Sequence, residues 1–154
     1  IARILLPDLD EEMQMKIIKE CCQYENEYLR EHGATLYNKL EETLEKLAKD
    51  YKLFIVSNCQ DGYIESFFNS HGLDKYFIDY ECPGRTGLPK AENIKLVVER
   101  NNLKNPVYVG DTQGDANAAK GANVPFIYAK YGFGDVEEFQ AKIESFEELL
   151  KIVK

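Results

Sequence analysis

The chain is 154 residues long, with 44% hydrophobic and 30% charged residues, which suits a folded domain and excludes a disordered or fibrous chain. It carries 27 acidic residues against 19 Lys and Arg, with no basic cluster longer than a pair, so we expect no nucleic-acid or membrane partner. No apolar run approaches the roughly 18 residues of a spanning helix, and no signal peptide opens the chain, so we expect a cytoplasmic protein.

The first predicted element is a long helix over residues 10–32, with Asp10 as its cap and Gly33 as its stop. Apolar residues recur along it at the spacing of one helical face: Met13, Ile17, Cys21, Tyr24 and Tyr28. A second helical pattern follows over residues 36–50, with leucines at the same kind of spacing. It leads directly into a continuous apolar strand, which is typical of a strand covered by helices on both faces.

Strand and helix patterns then alternate to the end of the chain. The predicted strands are 52–57, 76–80, 107–110 and 125–129, and the predicted helices are 62–70, 91–101, 115–121 and 146–153. Ser145 and Glu148 have the spacing of a capping box for the last helix. Strict alternation indicates βαβ units and a parallel sheet with helices on both faces. We therefore predict an α/β, Rossmann-like core over residues 36–154 and a helical appendage over residues 1–35.

Candidate functional residues follow the predicted strands, because ligands of open parallel sheets bind beyond the carboxyl ends of the strands. Ser57 and Asn58 end the first strand, where a hydroxyl and backbone amides can hold a phosphate oxygen or simply cap a helix. Lys90 begins a helix after Pro89. A positive charge there opposes the helix dipole unless an anion is present, although a solvated lysine is the simpler alternative.

Two carboxylates lie in the segment Gly110-Asp-Thr-Gln-Gly-Asp115, where a strand turns into a helix. Asp111 and Asp115 are four residues apart, so both can converge on one hard cation. Mg²⁺ fits oxygen ligands of this kind better than zinc, because no His or Cys is near them in sequence. The alternative is structural, with Asp115 capping the helix and Asp111 forming the turn.

In this order, Ser57, Lys90 and Gly110-Asp111-x-x-x-Asp115 resemble the second, third and fourth motifs of the haloacid dehalogenase superfamily of phosphohydrolases. Tyr131-Gly-Phe-Gly134 is similar to the corresponding loop of the phosphoglycolate-phosphatase-like branch. The resemblance implies Mg²⁺-dependent hydrolysis of a small phosphorylated metabolite through an aspartyl-phosphate. Lys90 and Ser57 would be catalytic, Ser57, Asn58 and Lys90 would bind the phosphate, and Asp111 and Asp115 would hold the metal.

The first motif of that superfamily, Asp-x-Asp-Gly-Thr, is not found where the resemblance would place it. We therefore expect residues 1–35 to be the later part of a helical cap and the nucleophile to lie upstream of Ile1, so that this chain alone is inactive. Its strand would lie between the strands that carry Ser57 and residues 107–109. A backbone ladder joining those two strands directly would contradict this prediction.

Other interpretations remain open at this point. Asp8 and Asp10 follow an apolar run and could be the nucleophile pair of a capless phosphatase, although Pro7 is a poor residue for a central strand. A non-catalytic phosphate- or metal-binding module of the same fold is the second alternative. A receiver-type signalling domain would need its acidic pair after the first strand, and a nucleotide-binding redox domain would need G-x-G-x-x-G there.

Overall fold

The computed structural model describes residues 2–153 and divides into two compact units. One unit combines the chain up to Ala34 with Gly62–Gly72, and the other combines Thr35–Asp61 with the chain from Leu73 onward. The helices are α1 (Ala2–Leu5), α2 (Glu11–His32), α3 (Leu40–Asp50), α4 (Tyr63–His71), α5 (Pro83–Thr86), α6 (Lys90–Arg100), α7 (Gln113–Gly121) and α8 (Leu149–Ile152). The strands are β1 (Leu53–Val56), β2 (Phe77–Glu81), β3 (Tyr108–Gly110), β4 (Phe126–Ala129) and β5 (Ala141–Ile143). Within residues 2–153, every helix is too short or too polar to span a bilayer.

The first unit is built on α2, whose predicted ends are confirmed. The Asp10 side chain accepts a hydrogen bond from Met13 N at 2.8 Å, and Gly33 ends the helix with a φ of 65°. Helix α4 packs against α2 in this unit, although the sequence assigned residues 62–70 to the core. The predicted apolar stripe is mostly exposed, since Tyr24 is 69% exposed and the half-buried positions are Ile17, Ile18, Cys22, Asn26 and Leu29. Packing against α4 thus covers a face of α2 different from the one that its apolar spacing marks.

The capless alternative fails in this unit, because it requires residues 3–7 to form a strand. Residues Ala2–Leu5 instead form the short helix α1. Asp10 caps α2, and Asp8 lies exposed in the turn between the two helices. Asp8 and Asp10 are therefore not the nucleophile pair at the end of a central strand.

The second unit contains two parallel sheets, which confirms the predicted α/β class. In one sheet β1 pairs with β2, and in the other β4 lies between β3 and β5. No hydrogen-bonded ladder joins β1 to β3 within the described residues, as the sequence predicted. A side chain links the two strands: Tyr108 Oη donates to the Val56 carbonyl at 2.7 Å.

Helices cover both faces of the three-stranded sheet, as the alternation predicted. Ile127 and Ala129 of β4 pack in a core with Leu47 of α3 and Leu149 of α8. The alternate residues Phe126 and Tyr128 pack with Ala116 and Ala119 of α7. Successive residues of β4 therefore meet opposite helical layers, and all four are buried.

The last part of the chain departs most from the predicted elements. Strand β5 was not predicted, because its three residues include an exposed lysine and carry almost no periodicity. The predicted helix 146–153 is a short 3₁₀ turn at Phe146–Glu148 followed by α8. The capping box is wrong: Ser145 makes no side-chain cap, and the Glu148 carboxylate accepts from Glu144 N at 2.8 Å instead.

Candidate functional site

The position of Lys90 is fixed by the loop that precedes it. Asn93, one turn into α6, is fully buried. It pairs with Thr86 Oγ1 at 2.7 Å and donates from Nδ2 to the Leu88 carbonyl at 3.0 Å. Pro89 precedes the helix in an extended conformation. These contacts hold the loop against the first turn of α6 and so fix the place from which the lysine extends.

The structure brings Lys90 and Asp115 together as an ion pair. Lys90 Nζ lies 2.5 Å from Asp115 Oδ1, and the two side chains are only 12% and 7% exposed. The carboxylate thus supplies the negative charge that a lysine at a helix N-terminus requires. The interpretation of Lys90 as a solvated surface lysine is wrong.

Asp115 also forms a capping box with Thr112 at the start of α7. Its Oδ2 accepts from Asp111 N at 3.2 Å, from Thr112 N at 3.2 Å and from Thr112 Oγ1 at 2.9 Å. Burial by itself would raise the pKa of Asp115, but the Lys90 ammonium and the Thr112 donors outweigh burial and lower it. A Cβ on Gly110 would lie 2.6 Å from Asp115 Cβ, so only glycine fits beside this carboxylate.

Asp111 lies in the loop between β3 and α7 and makes a different set of contacts. Its Oδ2 accepts from Phe133 N at 2.8 Å. Because Asp115 Oδ2 is hydrogen-bonded to the Asp111 backbone N–H, both acidic residues lie at the carboxyl end of β3. Their shared position is the one that the sequence predicted for a cation site, and the capping box shows that Asp115 also has the structural role that the alternative gave it.

Ser57 and Asn58 directly follow β1. Ser57 N donates to the Glu81 carbonyl at 3.2 Å and its side chain is half-buried, whereas Asn58 is exposed. The preceding residue, Val56, accepts the hydrogen bond from Tyr108. These contacts do not test phosphate binding, so the roles predicted for Ser57 and Asn58 remain predictions.

Comparison with known proteins adds the family. Residues 3–129 match the family model described as haloacid dehalogenase-like hydrolase. The chain belongs to the haloacid dehalogenase-like hydrolases. Phosphoglycolate phosphatases are among the relatives of this chain: that of Vibrio parahaemolyticus is 28% identical over 128 residues, which are 77% of this chain and 56% of the relative. That of Salmonella typhi is 27% identical over 153 residues, or 93% and 61% of the two chains.

Solved structures support the same fold for this chain. A haloacid dehalogenase-like hydrolase from Streptococcus pneumoniae matches with a TM-score of 0.78 and 16% identity, over 99% of this chain and 76% of that one. A haloacid dehalogenase-superfamily hydrolase from Geobacter sulfurreducens matches with a TM-score of 0.68 and 21% identity, over 77% and 61% of the two chains. The chain spans between about half and three-fifths of the curated relatives named above.

The oxygen ligands of the candidate site fit a hard cation through one carboxylate better than through two. A carboxylate offers about four acceptor positions, and Asp115 already receives four donors from Lys90, Asp111 and Thr112. The Asp111 carboxylate accepts one hydrogen bond, from Phe133 N. Within residues 2–153 no group of three or more His, Cys, Asp or Glu side chains could hold a metal, so a cation would draw its remaining ligands from water or phosphate, as Mg²⁺ commonly does.

The sequence analysis did not identify two further residues with buried polar contacts. Tyr108 stacks beneath Lys90, whose Nζ lies 5.9 Å from the ring centroid. Burial, followed by the charges of Asp115 and Asp111, raises the pKa of Tyr108. The signal was available, since a tyrosine within an apolar strand just before Gly110-Asp111 needs a partner for its hydroxyl. Glu81, at the end of β2, is 2% exposed and accepts a hydrogen bond from Arg100 Nη1 at 2.8 Å. No sequence pattern predicted this pair.

Proposed function

We propose that this chain carries the phosphate-binding and metal-binding groups of a magnesium-dependent phosphate monoester hydrolase that works through an aspartyl-phosphate. The observation that supports this most directly is the buried Lys90–Asp115 pair beside Asp111, at the carboxyl end of β3. A buried cation held next to a second carboxylate is the electrostatic arrangement that phosphoryl transfer requires.

Each group has a separate task in this proposal. Lys90 stabilises the negative charge on the transferring phosphoryl group, and Asp115 pairs with the lysine and orients it. Asp111 holds Mg²⁺, and the bound ion would offset negative charge on the phosphate. Asp115, which the sequence predicted as a second ligand, would bind the ion only by giving up one of its four hydrogen-bond donors. The Ser57 hydroxyl donates to a phosphate oxygen and Asn58 helps to hold it. Lys90→Ala should therefore lower turnover sharply in the complete enzyme.

The nucleophilic aspartate, in this proposal, is carried by a strand that fits between β1 and β3. Both strands lack a ladder partner on one edge within the described residues, and paired edges are the stable state of a parallel sheet. The Tyr108–Val56 hydrogen bond links the two strands at this position. On this basis the 154-residue chain binds phosphate and Mg²⁺ but does not turn over.

The substrate class that we propose is a small phosphorylated metabolite. Phosphoglycolate is the first compound to test, because the curated relatives are phosphoglycolate phosphatases. A non-catalytic phosphate- or metal-binding module is the second candidate, since the Lys90–Asp115 pair and Asp111 would serve binding equally well.

The test is strand complementation of the purified chain. We expect no Mg²⁺-dependent hydrolysis of p-nitrophenyl phosphate by the chain alone, and hydrolysis after addition of an apolar peptide that ends in Asp-x-Asp-Gly-Thr. The matched peptide with Asn in place of the first Asp should bind without restoring activity. Hydrolysis by the chain alone would contradict the proposal, and binding of both peptides at β1 and β3 without hydrolysis would favour the non-catalytic module.

A further inference from the structure

The loop from Tyr131 to Gly134 passes directly over Asp111. Its Phe133 N–H donates to Asp111 Oδ2 at 2.8 Å, and Gly132 N closes a turn onto the Ala129 carbonyl at 3.0 Å. A Cβ on Gly132 would overlap both Asp111 Cβ and Asp111 Oδ2. The backbone and the carboxylate therefore approach each other more closely than any residue except glycine allows.

Two tyrosines anchor this loop at its ends. Tyr128 Oη donates to the Gly134 carbonyl at 2.6 Å. The Tyr131 ring packs edge-on against Tyr37 with centroids 4.9 Å apart and contacts the core beneath β4. Burial, with smaller contributions from Tyr37 and Asp111, raises the pKa of Tyr131 to about 12. The loop is thus held independently of the contact that it makes with Asp111.

We propose that the Tyr131–Gly134 loop is a positioning element for Asp111, and that the Phe133 backbone N–H fixes the orientation of its carboxylate. Polar partners that orient a metal ligand commonly change metal affinity by about 10- to 100-fold when they are removed. The Phe133 side chain itself is 95% exposed and has no part in this role. The orienting role of the Phe133 N–H follows from its hydrogen bond to Asp111. The consequence for Mg²⁺ binding rests on the proposed function.

A pair of variants at one position separates the backbone donor from the side chain. Phe133→Pro removes the N–H and the ring, whereas Phe133→Ala removes only the ring. Three-bond Hα–Hβ couplings, measured by NMR on the 154-residue chain, report the side-chain rotamer of Asp111. We expect one rotamer in the wild type and in Phe133→Ala, and averaging between rotamers in Phe133→Pro. Averaged couplings in the wild type, or fixed couplings in Phe133→Pro, would overturn the proposal.

Two further variants cover the case in which Phe133→Pro does not fold. In Asp111→Ala the Phe133 amide loses its acceptor, so its proton resonance should move upfield more than that of any amide outside residues 110–113. In Gly132→Ala the new methyl group should displace the Asp111 side chain and change its couplings. An unmoved Phe133 resonance in Asp111→Ala, with unchanged Asp111 couplings in Gly132→Ala, would also overturn the proposal.

Titration with Mg²⁺ alone tests the consequence for metal binding. Phe133→Pro should weaken Mg²⁺ binding about tenfold, and Phe133→Ala should bind within about twofold of the wild type. Equal weakening by both variants would contradict positioning by the backbone donor. A wild-type chain that does not respond to Mg²⁺ would count against the proposed function, while the Asp111 couplings would still decide the role of the loop.

Discussion

The central strand β4 and the edge strands β1 and β3 of the second unit differ in how completely they are covered. All four residues of β4 are buried, because β3 and β5 flank it and helical layers pack on both faces. All four residues of β1 are only half-buried, and so are the three of β3. Runs of similar apolar composition thus reach different burial, which shows that a neighbour on each edge matters as much as a covered face.

The second unit has two halves, each a sheet with the helices that pack on it, and they are joined where α6 packs against α7 and by two polar contacts of the candidate site. Helix α6 packs on β1 and β2, whereas α7 packs on β3 and β4. The Lys90–Asp115 pair connects these two helices, and the Tyr108–Val56 hydrogen bond connects the two sheets. Lys90 and Asp115, which the proposed function uses, therefore also help to connect the two sheets. Substitutions in this pair test both roles.

Removal of Asp115 should produce the largest effect. Asp115→Ala leaves the buried Lys90 charge unpaired and also breaks the capping box of α7. We expect the free energy of unfolding to fall by about 3 kcal/mol, measured by urea denaturation followed by circular dichroism. Glu92→Ala, at an exposed partner of Lys95 on α6, is the matched control and should cost under about 1 kcal/mol. A similar, small loss in both variants would show that the pair does not connect the halves.

The same pair should give stability a distinct pH dependence. Because Lys90 helps to lower the pKa of Asp115 in the folded state, the stabilisation is complete above the unfolded carboxyl pKa of about 4 and is lost as the pH falls through the lower folded pKa. In Lys90→Met that stabilisation is absent. Urea denaturation between about pH 7 and pH 3 should therefore show a wild-type advantage that shrinks below about pH 4.

The Asp79 carboxyl is a background contribution to this experiment. Burial favours a higher pKa for Asp79, but hydrogen bonds from Arg100 and Asn101 lower it below its ordinary value. Because Lys90→Met leaves these contacts unchanged, the contribution of Asp79 cancels in the difference between the two proteins. A difference in unfolding free energy that stays constant across the range would contradict the assigned role of Lys90.

Sequence patterns predicted the parts of this molecule that depend on local chemistry. The order of β1 to β4 and of the long helices between them, the caps of α2 and the position of Asp111 and Asp115 after β3 all follow from composition and spacing. The apolar spacing on α2 predicted the wrong buried face. Which face of a helix is covered depends on its tertiary neighbour, which here is α4. The Phe133 donor is a backbone group and leaves no mark in the sequence beyond the glycine beside it.

The smallest predicted effect comes from removing one tyrosine hydroxyl, and it tests whether the two sheets open independently. Tyr108→Phe removes the hydroxyl that joins β3 to β1, whereas Tyr128→Phe removes a hydroxyl that bonds Gly134 beside β4. Each substitution should lower the free energy of unfolding by about 1 kcal/mol. Only Tyr108→Phe should speed hydrogen exchange of the β1 amides, because local opening there no longer breaks a bond to β3. Equal acceleration at β1 in both variants would mean that the two sheets open as one unit, and that the Tyr108 hydroxyl is not the link between them.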